Sequence, residues 1–318
     1  MTLDEILKEI KEAENIAILT HETPDGDAIG SSLGMKLGLE KIGKKADLIM
    51  TKHARTFNFL PSVNEIKEQS EIQEYDLAIA LDCATIKMLD NKEYFNNAKK
   101  TIVIDHHGSN TMYGDLNYVN PVAPACAEIV LTMLSYFDIA IDEKIGTCLM
   151  TGIITDTGGL QYPSTTADTF EYAAELLRKG VDISEICKRT LQVKTKANFE
   201  LSKRIMDRLE LLENGKIAFS YITKSDLEEV NAEEGDHEGL VNIGRGIEGV
   251  EVSIFIRQSN EDENSYKVSM RSSEYVNVSD VCLMFGGGGH PRAAGAKVQG
   301  DIETIKDKLV KEVKKYLK

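Results

Sequence analysis

The sequence predicts an α/β protein: a parallel-sheet domain joined by a helical connector to a smaller mixed α/β domain. Three observations carry that expectation. Near-continuous apolar runs, Ile16–Leu19, Tyr75–Leu81 and Thr101–Ile104, are separated by helical patterns, as in a parallel sheet covered on both faces. Each run stops where polar chemistry begins: His21, Asp25 and Asp27 follow the first, Asp82 and Cys83 the second, Asp105, His106 and His107 the third. Beyond residue 213 the character changes to strands of another kind, one with alternating polar and apolar residues.

Taken in order, residues 3–14 read as a short amphipathic helix, followed by a strand at Ile16–Thr20 and a helix from Ala28 to about Lys41. Ala46–Met50 is a second strand, and the runs ending at Leu81 and Ile104 are the next two. Helical patterns cover Pro124–Phe137, Lys144–Ile154 and Thr166–Lys179, the last stopped by Gly180. Residues 186–213 read as one long charged helix, ended by Glu213-Asn214-Gly215, connecting two domains. The division is therefore 1–185, 186–213 and 214–318. In the last part, strands fall at Lys216–Tyr221, Val250–Ile256 and Tyr266–Arg271, with helices near Lys224–Val230, Ser279–Phe285 and Thr304–Leu317.

Composition bounds the function. No run approaches the roughly 20 apolar residues of a membrane span. The start, Met1-Thr2-Leu3-Asp4-Glu5, is acidic and amphipathic rather than signal-like, so a cytoplasmic location is expected. Five scattered cysteines form no C-x-x-C pair and read as reduced thiols. A net charge of −15, without a basic stripe, argues against a grip on long duplex nucleic acid. Phosphates would be handled a few at a time, where cations or arginines reverse the field locally.

The stretch His21-Glu22-Thr23-Pro24-Asp25-Gly26-Asp27 puts one imidazole and two carboxylates on a strand-to-helix turn. The plainer reading is a polar loop whose Asp27 caps the next helix. Three such strand ends converging would build one site, since ligands of open α/β sheets bind at the carboxyl ends of the strands. The joint inventory is Asp25, Asp27, Asp82 and Asp156, with His21, His106 and, as a further candidate, His107. Asp156, ahead of Gly158-Gly159, also fits a simple helix end. That inventory suits two divalent ions sharing a bridging carboxylate, and the chemistry that suits them is in-line attack of an ion-activated water on phosphorus. Oxygen and imidazole donors without thiolate favour manganese, with magnesium, cobalt or iron as alternatives.

Gly286-Gly287-Gly288-Gly289-His290-Pro291-Arg292 is the second candidate, a backbone nest for an anion with His290 and Arg292 adding charge. Arg271-Ser272, at a strand end, is a weaker addition to that pocket. Gly244-Arg245-Gly246-Ile247-Glu248-Gly249 matches the dinucleotide G-x-G-x-x-G pattern, but a strand follows where a helix is required, so it reads as a turn.

Together these motifs resemble the DHH phosphoesterase superfamily, and Gly286–His290 resembles the DHH-associated terminal domain of its RecJ-like branch. The compact two-domain length is similar to the NrnA-type members. The resemblance implies a manganese-dependent enzyme degrading very short oligonucleotides and dephosphorylating 3′-phosphoadenosine 5′-phosphate (pAp), with hydrolysis of cyclic di-AMP or linear di-adenylate as the alternative. It implies one metal on His21, Asp25 and Asp82 and a second on Asp27, Asp82, His106 and Asp156. His107 would meet the scissile phosphate or protonate the leaving group, with Asp105 orienting a histidine. Arg271, Ser272, Gly288, Gly289, His290 and Arg292 would bind the substrate's terminal phosphate and base. The connector would let the two lobes close on short substrates. Single-stranded oligonucleotides or nucleotides are thus the expected partners, and a homodimer is plausible for the family. A long-strand nuclease would need an added barrel, and a family II pyrophosphatase lacks the glycine-rich His loop. A nucleotide sensor without turnover is the rival from another class.

Overall fold

The computed structural model describes residues 2–233, 235–259, 262 and 264–318. The chain divides into two units, Met1–Val193 and Lys194–Lys318. Among the described residues no helix is long and apolar enough to cross a membrane.

In the first unit the order is α1 (Leu3–Glu12), β1 (Asn15–Leu19), α2 (Gly26–Lys41), β2 (Lys45–Leu48), β3 (Leu77–Leu81), α3 (Lys92–Asn97), β4 (Thr101–Asp105), β5 (Leu116–Val119), α4 (Cys126–Tyr136), α5 (Glu143–Asp156), α6 (Ala167–Arg178) and α7 (Ile183–Cys187). The five strands form one parallel sheet in the order β2-β1-β3-β4-β5. Its two faces divide the strand residues between two cores. Ile16, Ile18, Ile79 and Ile104 join the larger one, with α2, α4 and α5. Ala17, Leu19, Ala78, Ala80 and Val103 lie in a smaller one with Tyr94 and Phe95 of α3. This explains the unbroken apolar runs: a strand buried on both faces has no polar side.

Helix α2 is buried along most of its length and crosses α5 at short range. Glycines recur at every fourth position, Gly26, Gly30, Gly34 and Gly38, which places them on one face. A Cβ on Gly30 would strike the Cys148 carbonyl of α5, and one on Gly152 would lie 2.6 Å from Asp27 Oδ1. The crossing brings the first turn of α2, with Asp27, beside the α5 backbone near its last turn, with Asp156.

The second unit comprises α8 (Lys196–Arg208), β6 (Glu210–Leu212), β7 (Ile217–Ile222), α9 (Lys224–Glu229), α10 (Val241–Arg245), β8 (Val252–Gln258), β9 (Ser265–Ser272), α11 (Val278–Leu283), β10 (Gly288–His290), β11 (Ala293–Gln299) and α12 (Ile302–Lys314). Its sheet runs β10-β11-β9-β8-β7-β6, with only the β7–β8 pair parallel. Val281 of α11 and Leu309 of α12 pack with Ile254, Val268 and Met270, whereas Leu201 of α8 and Val241 of α10 pack with Phe255.

Three expectations are corrected. Residues 186–213 are not one helix: α7 passes into a π-helical turn at Lys188–Gln192, and α8 starts afresh after Thr195, whose hydroxyl accepts from Asn198 N at 3.0 Å. Helix α2 is capped by Asp25, not Asp27: Asp25 Oδ1 accepts from the Asp27 and Ala28 N–H groups, both at 3.0 Å. The glycine run is only partly a loop, since Gly288–His290 is a strand paired with Ala293–Gly295. The refused dinucleotide motif begins in the last turn of α10 and is followed by β8, without the strand before and helix after that such a site needs.

Candidate metal centre

Strands β1, β3 and β4 are adjacent in the sheet and end side by side. Residues just beyond each enter one polar cluster. Among the described residues, His21, Asp25 and Asp82 offer ligand atoms within 4.8 Å of one another, and so do Asp27, His106 and Asp156. Asp82 touches both groups through different oxygens. Its Oδ2 lies 4.0 Å from His21 Nε2, and its Oδ1 lies 3.4 Å from His106 Nε2. His106 Nε2 also stands 3.4 Å from Asp156 Oδ2 and 3.8 Å from Asp27 Oδ2.

These separations are longer than ordinary hydrogen bonds. Two donors each about 2.1 Å from one ion, at angles of 90–110°, would stand about 3.0–3.5 Å apart. Asp82 Oδ1 is buried and accepts no hydrogen bond within geometric limits from the described residues. Asp82 also adopts φ +52°, a left-handed conformation uncommon for a residue other than glycine and recurrent at functional sites. Asp156 stands in the last residue of α5, at the helix end that disfavours an anion. The donor set therefore fits divalent cations. Its members are oxygen and imidazole: burial pushes the neighbouring Cys83 thiol up to about 12 and Cys126 well above its ordinary range, keeping both neutral.

The charge balance is uneven. Burial, then Asp82, holds the Asp27 carboxyl well above its ordinary range, and burial, then Asp27 and Asp25, does the same to Asp156. Burial would raise Asp82 too, but His106, His107 and His21 outweigh it and hold that carboxyl low. Burial opposes a charged His106, and Asp82, Asp156 and Asp27 overcome it, raising the imidazole. Asp27 is further held by the start of α4, accepting from Cys126 N at 2.6 Å and Ala127 N at 2.9 Å.

Asp105 lies behind the histidines. Its Oδ1 accepts from His106 N at 2.8 Å and His107 N at 3.2 Å, and it holds His107 Nδ1 at 2.8 Å. His106 is oriented differently, with Nδ1 3.1 Å from the Ala123 carbonyl, so Nε2 faces the carboxylates. Sequence reasoning missed several supports. Asn110 donates to Asp105 Oδ2 at 2.6 Å and to the Cys83 carbonyl at 3.2 Å. In the sequence it reads only as a turn residue after Gly108-Ser109. Gly152, beside Asp27, carried a signal that could have been used, a glycine inside a helical pattern.

In the second unit, His290 pairs with Ala293 and Ala293 with Arg271, one row across β10, β11 and β9. His290 and Arg271 therefore share a face across a small residue, two strand spacings or about 9–10 Å apart. Gly288 and Gly289 supply backbone there, and Gly289 has φ +142°, where a Cβ would strike the Ala293 carbonyl. Arg292 and Ser272 brace the turn: Arg292 Nη1 donates to Val276 O at 3.0 Å and lies 3.4 Å from Ser272 Oγ, while Ser272 N donates to Arg292 O at 3.1 Å. Behind them the buried Glu251 accepts from Glu274, Tyr275 and Val276 N–H groups at 3.1, 2.8 and 2.7 Å. None of these supports was anticipated.

Comparison with known proteins identifies the family of the chain. The model of the DHH family, N-terminal domain, matches residues 15–153, and the DHHA1 domain model matches residues 214–318. A Thermus thermophilus protein named bifunctional oligoribonuclease and PAP phosphatase NrnA is 34% identical over 317 residues, covering 98% of this chain and 93% of its own. The Listeria monocytogenes cyclic-di-AMP phosphodiesterase PdeA is 26% identical over 97% of this chain but 47% of its own length. The crystal structure of an exopolyphosphatase-related protein from Bacteroides fragilis superposes with a TM-score of 0.88 at 27% identity, covering 99% of this chain and 96% of that one.

Proposed function

On the premise that the chain belongs to the DHH phosphoesterase family, we propose that it hydrolyses short oligonucleotides and pAp with two divalent ions, manganese for preference. The observation that carries this reading is the bridging position of Asp82, with one oxygen toward His21 and the other toward His106. His21, Asp25 and Asp82 would hold one ion, and Asp27, Asp82, His106 and Asp156 the other. Bound there, the ions would lower the pKa of a water and neutralise charge on the phosphoryl oxygens.

The protein's own groups have separate tasks. Asp105 fixes the His107 ring by its Nδ1, which sets the other ring nitrogen to meet the scissile phosphate and pass a proton to the departing oxygen. The Ala123 carbonyl and the α4 N–H groups hold His106 and Asp27 in place. Arg271 and His290 read a terminal phosphate or base on the second unit, with Gly288 and Gly289 giving backbone access and Arg292 and Ser272 fixing the turn. A cytoplasmic enzyme acting on small nucleotide substrates, with no grip on long duplexes, suits the acidic surface.

The test is a turnover panel with manganese: pAp, 5′-phosphorylated di-adenylate, a five-nucleotide RNA, a 24-nucleotide RNA and cyclic di-AMP, with Asp82→Ala alongside. Hydrolysis of the short linear substrates alone, lost in the variant, is the expected result. Dominant cyclic di-AMP hydrolysis would favour the second reading, to which the similarity to PdeA points. Tight nucleotide binding without turnover would overturn both in favour of a sensor.

A further inference from the structure

Beside the metal centre, within the first unit, lies a cavity of about 200 Å³ that none of the assigned residues uses. Its walls include Tyr118, Asn120, Glu128, Thr132, Asp168 and Tyr172, and among the described residues no lysine, arginine or histidine lines it. Such a lining rejects a phosphate and receives hydrogen-bond donors. The wall also contains Ala123, whose carbonyl holds His106, and Asn120, whose N–H donates to the Asp105 carbonyl at 2.9 Å. The cavity therefore adjoins the loops that carry the metal-ligand histidine and its neighbour. At this size, below the roughly 300 Å³ of ordinary small-molecule pockets, it takes one sugar or ring, not a dinucleotide.

Glu128 is the residue that asks for a ligand. It is 5% exposed, in the first turn of α4, and its Oε1 is buried with no hydrogen-bond partner among the described residues. The Thr169 hydroxyl stands beside the carboxyl group, and burial together with the nearby Asp168 carboxylate raises its pKa. A buried acceptor left unsatisfied is costly, and buried polar groups are satisfied in most structures by protein, water or ligand. We propose that this cavity seats the ribose of the nucleotide nearest the metal centre, with Glu128 accepting its 2′-hydroxyl. The inference rests on the phosphoesterase reading above and adds to it a preference for RNA over DNA, since that hydroxyl is what distinguishes the two.

The experiment compares kcat and KM for a 5′-phosphorylated dinucleotide and its 2′-deoxy counterpart, with manganese, in the wild type, Glu128→Ala and Tyr172→Phe. The wild type should favour the ribo substrate by about tenfold or more in kcat/KM, and Glu128→Ala should collapse that ratio toward unity, chiefly through KM. Tyr172→Phe, which keeps the ring and removes one hydroxyl, should reduce the ratio less. Thermal stabilisation by manganese in each variant verifies that the metal centre is intact. A wild type indifferent to the 2′-hydroxyl, or a Glu128→Ala that loses both substrates equally with an intact metal response, overturns the proposal. Wild-type hydrolysis of bis(p-nitrophenyl) phosphate, which has no sugar, separates that failure from failure of the phosphoesterase reading itself.

Discussion

The two units solve the burial of charge in opposite ways. Around Asp82 the first unit gathers four carboxylates and leaves two of them, Asp27 and Asp156, with pKa values raised by burial and by neighbouring carboxylates, Asp82 and Asp25 for the first, Asp27 and Asp25 for the second. The second unit neutralises its own buried carboxylates. Glu251 accepts three backbone N–H groups, and Asp226 takes Arg204 at 2.8 Å and Arg208 on both oxygens. Burial would raise Asp226, but Arg208, Thr223 and Arg204 hold it well below the carboxylate range. The first arrangement is able to hold cations; the second pairs its charges within the protein. On the proposed function, the difference separates residues that serve chemistry from residues that serve stability, and the same substitution should then have opposite signs in the two places.

The largest effects test that opposition. Asp82→Asn and Asp156→Asn should each lower kcat/KM by roughly 10²–10³-fold or more, since transition-state charge would lose its stabilisation. In EDTA, however, Asp156→Asn should raise the unfolding free energy, by about 0.5–1 kcal/mol, because it removes a carboxylate from a helix C-terminus and from its neighbours' repulsion. Manganese should stabilise the wild type and do little for the variant. A metal-free Asp156→Asn less stable than wild type would collapse the distinction between the units.

Glu251→Ala should do the reverse. It strands three backbone donors in a buried turn and removes the support behind Arg292, so a stability loss of about 3 kcal/mol is expected in urea unfolding. Its effect on turnover should appear in KM, with kcat within about threefold of wild type. Equal losses in kcat and kcat/KM would mean that this turn takes part in the chemistry.

Gly152→Ala probes how the first unit positions its charge. In an open helix, alanine would gain about 1 kcal/mol over glycine. Here a Cβ meets Asp27 Oδ1 at 2.6 Å and Ala127 Cβ at 2.7 Å, so a net loss of about 1–3 kcal/mol and weaker manganese binding are expected. A gain in stability with unchanged metal affinity would show that the approach of α5 to Asp27 is not what places that carboxylate.

The ease of reading followed the same division. Fully buried strands announce themselves, so β1, β3 and β4 and the residues at their ends were legible, and Asp82 and His106 with them. Strand β5, Leu-Asn-Tyr-Val, is half-buried at the sheet edge and lacks an apolar run. Strands β10 and β11 hide in glycine and alanine, where alternation has no contrast. The break after Gln192 was invisible because no glycine or proline marks it; Thr195 as a helix cap was the only sign. Supports such as Asn110, Ala123 and Glu251 act through contacts distant in sequence or through the backbone, which a local pattern does not record.

The most gradual effect is a pH dependence, and it too has opposite signs in the two units. Burial, then Arg257 and Lys267, lowers the His237 imidazole of the second unit to about 3. An unfolded chain binds that proton near pH 6.5. Between about pH 6.5 and 3 the unfolded state therefore carries the extra proton, and stability falls as the pH falls, by at most about 1.4 kcal/mol per pH unit for one group. In the first unit, burial opposes a charged His107, but Asp105 and Asp82 overcome it and raise the imidazole, so its contribution is present at low pH and is lost as pH rises through the folded value. His237→Gln should flatten the acid side of the stability profile measured in EDTA. The wild type should show the steeper fall from pH 6 to 5, and adding manganese, which competes with protons at the first unit alone, should leave the His237 contribution to that slope in place. An unchanged slope in His237→Gln would place the acid sensitivity outside this histidine, in the carboxylates that the second unit pairs with arginine.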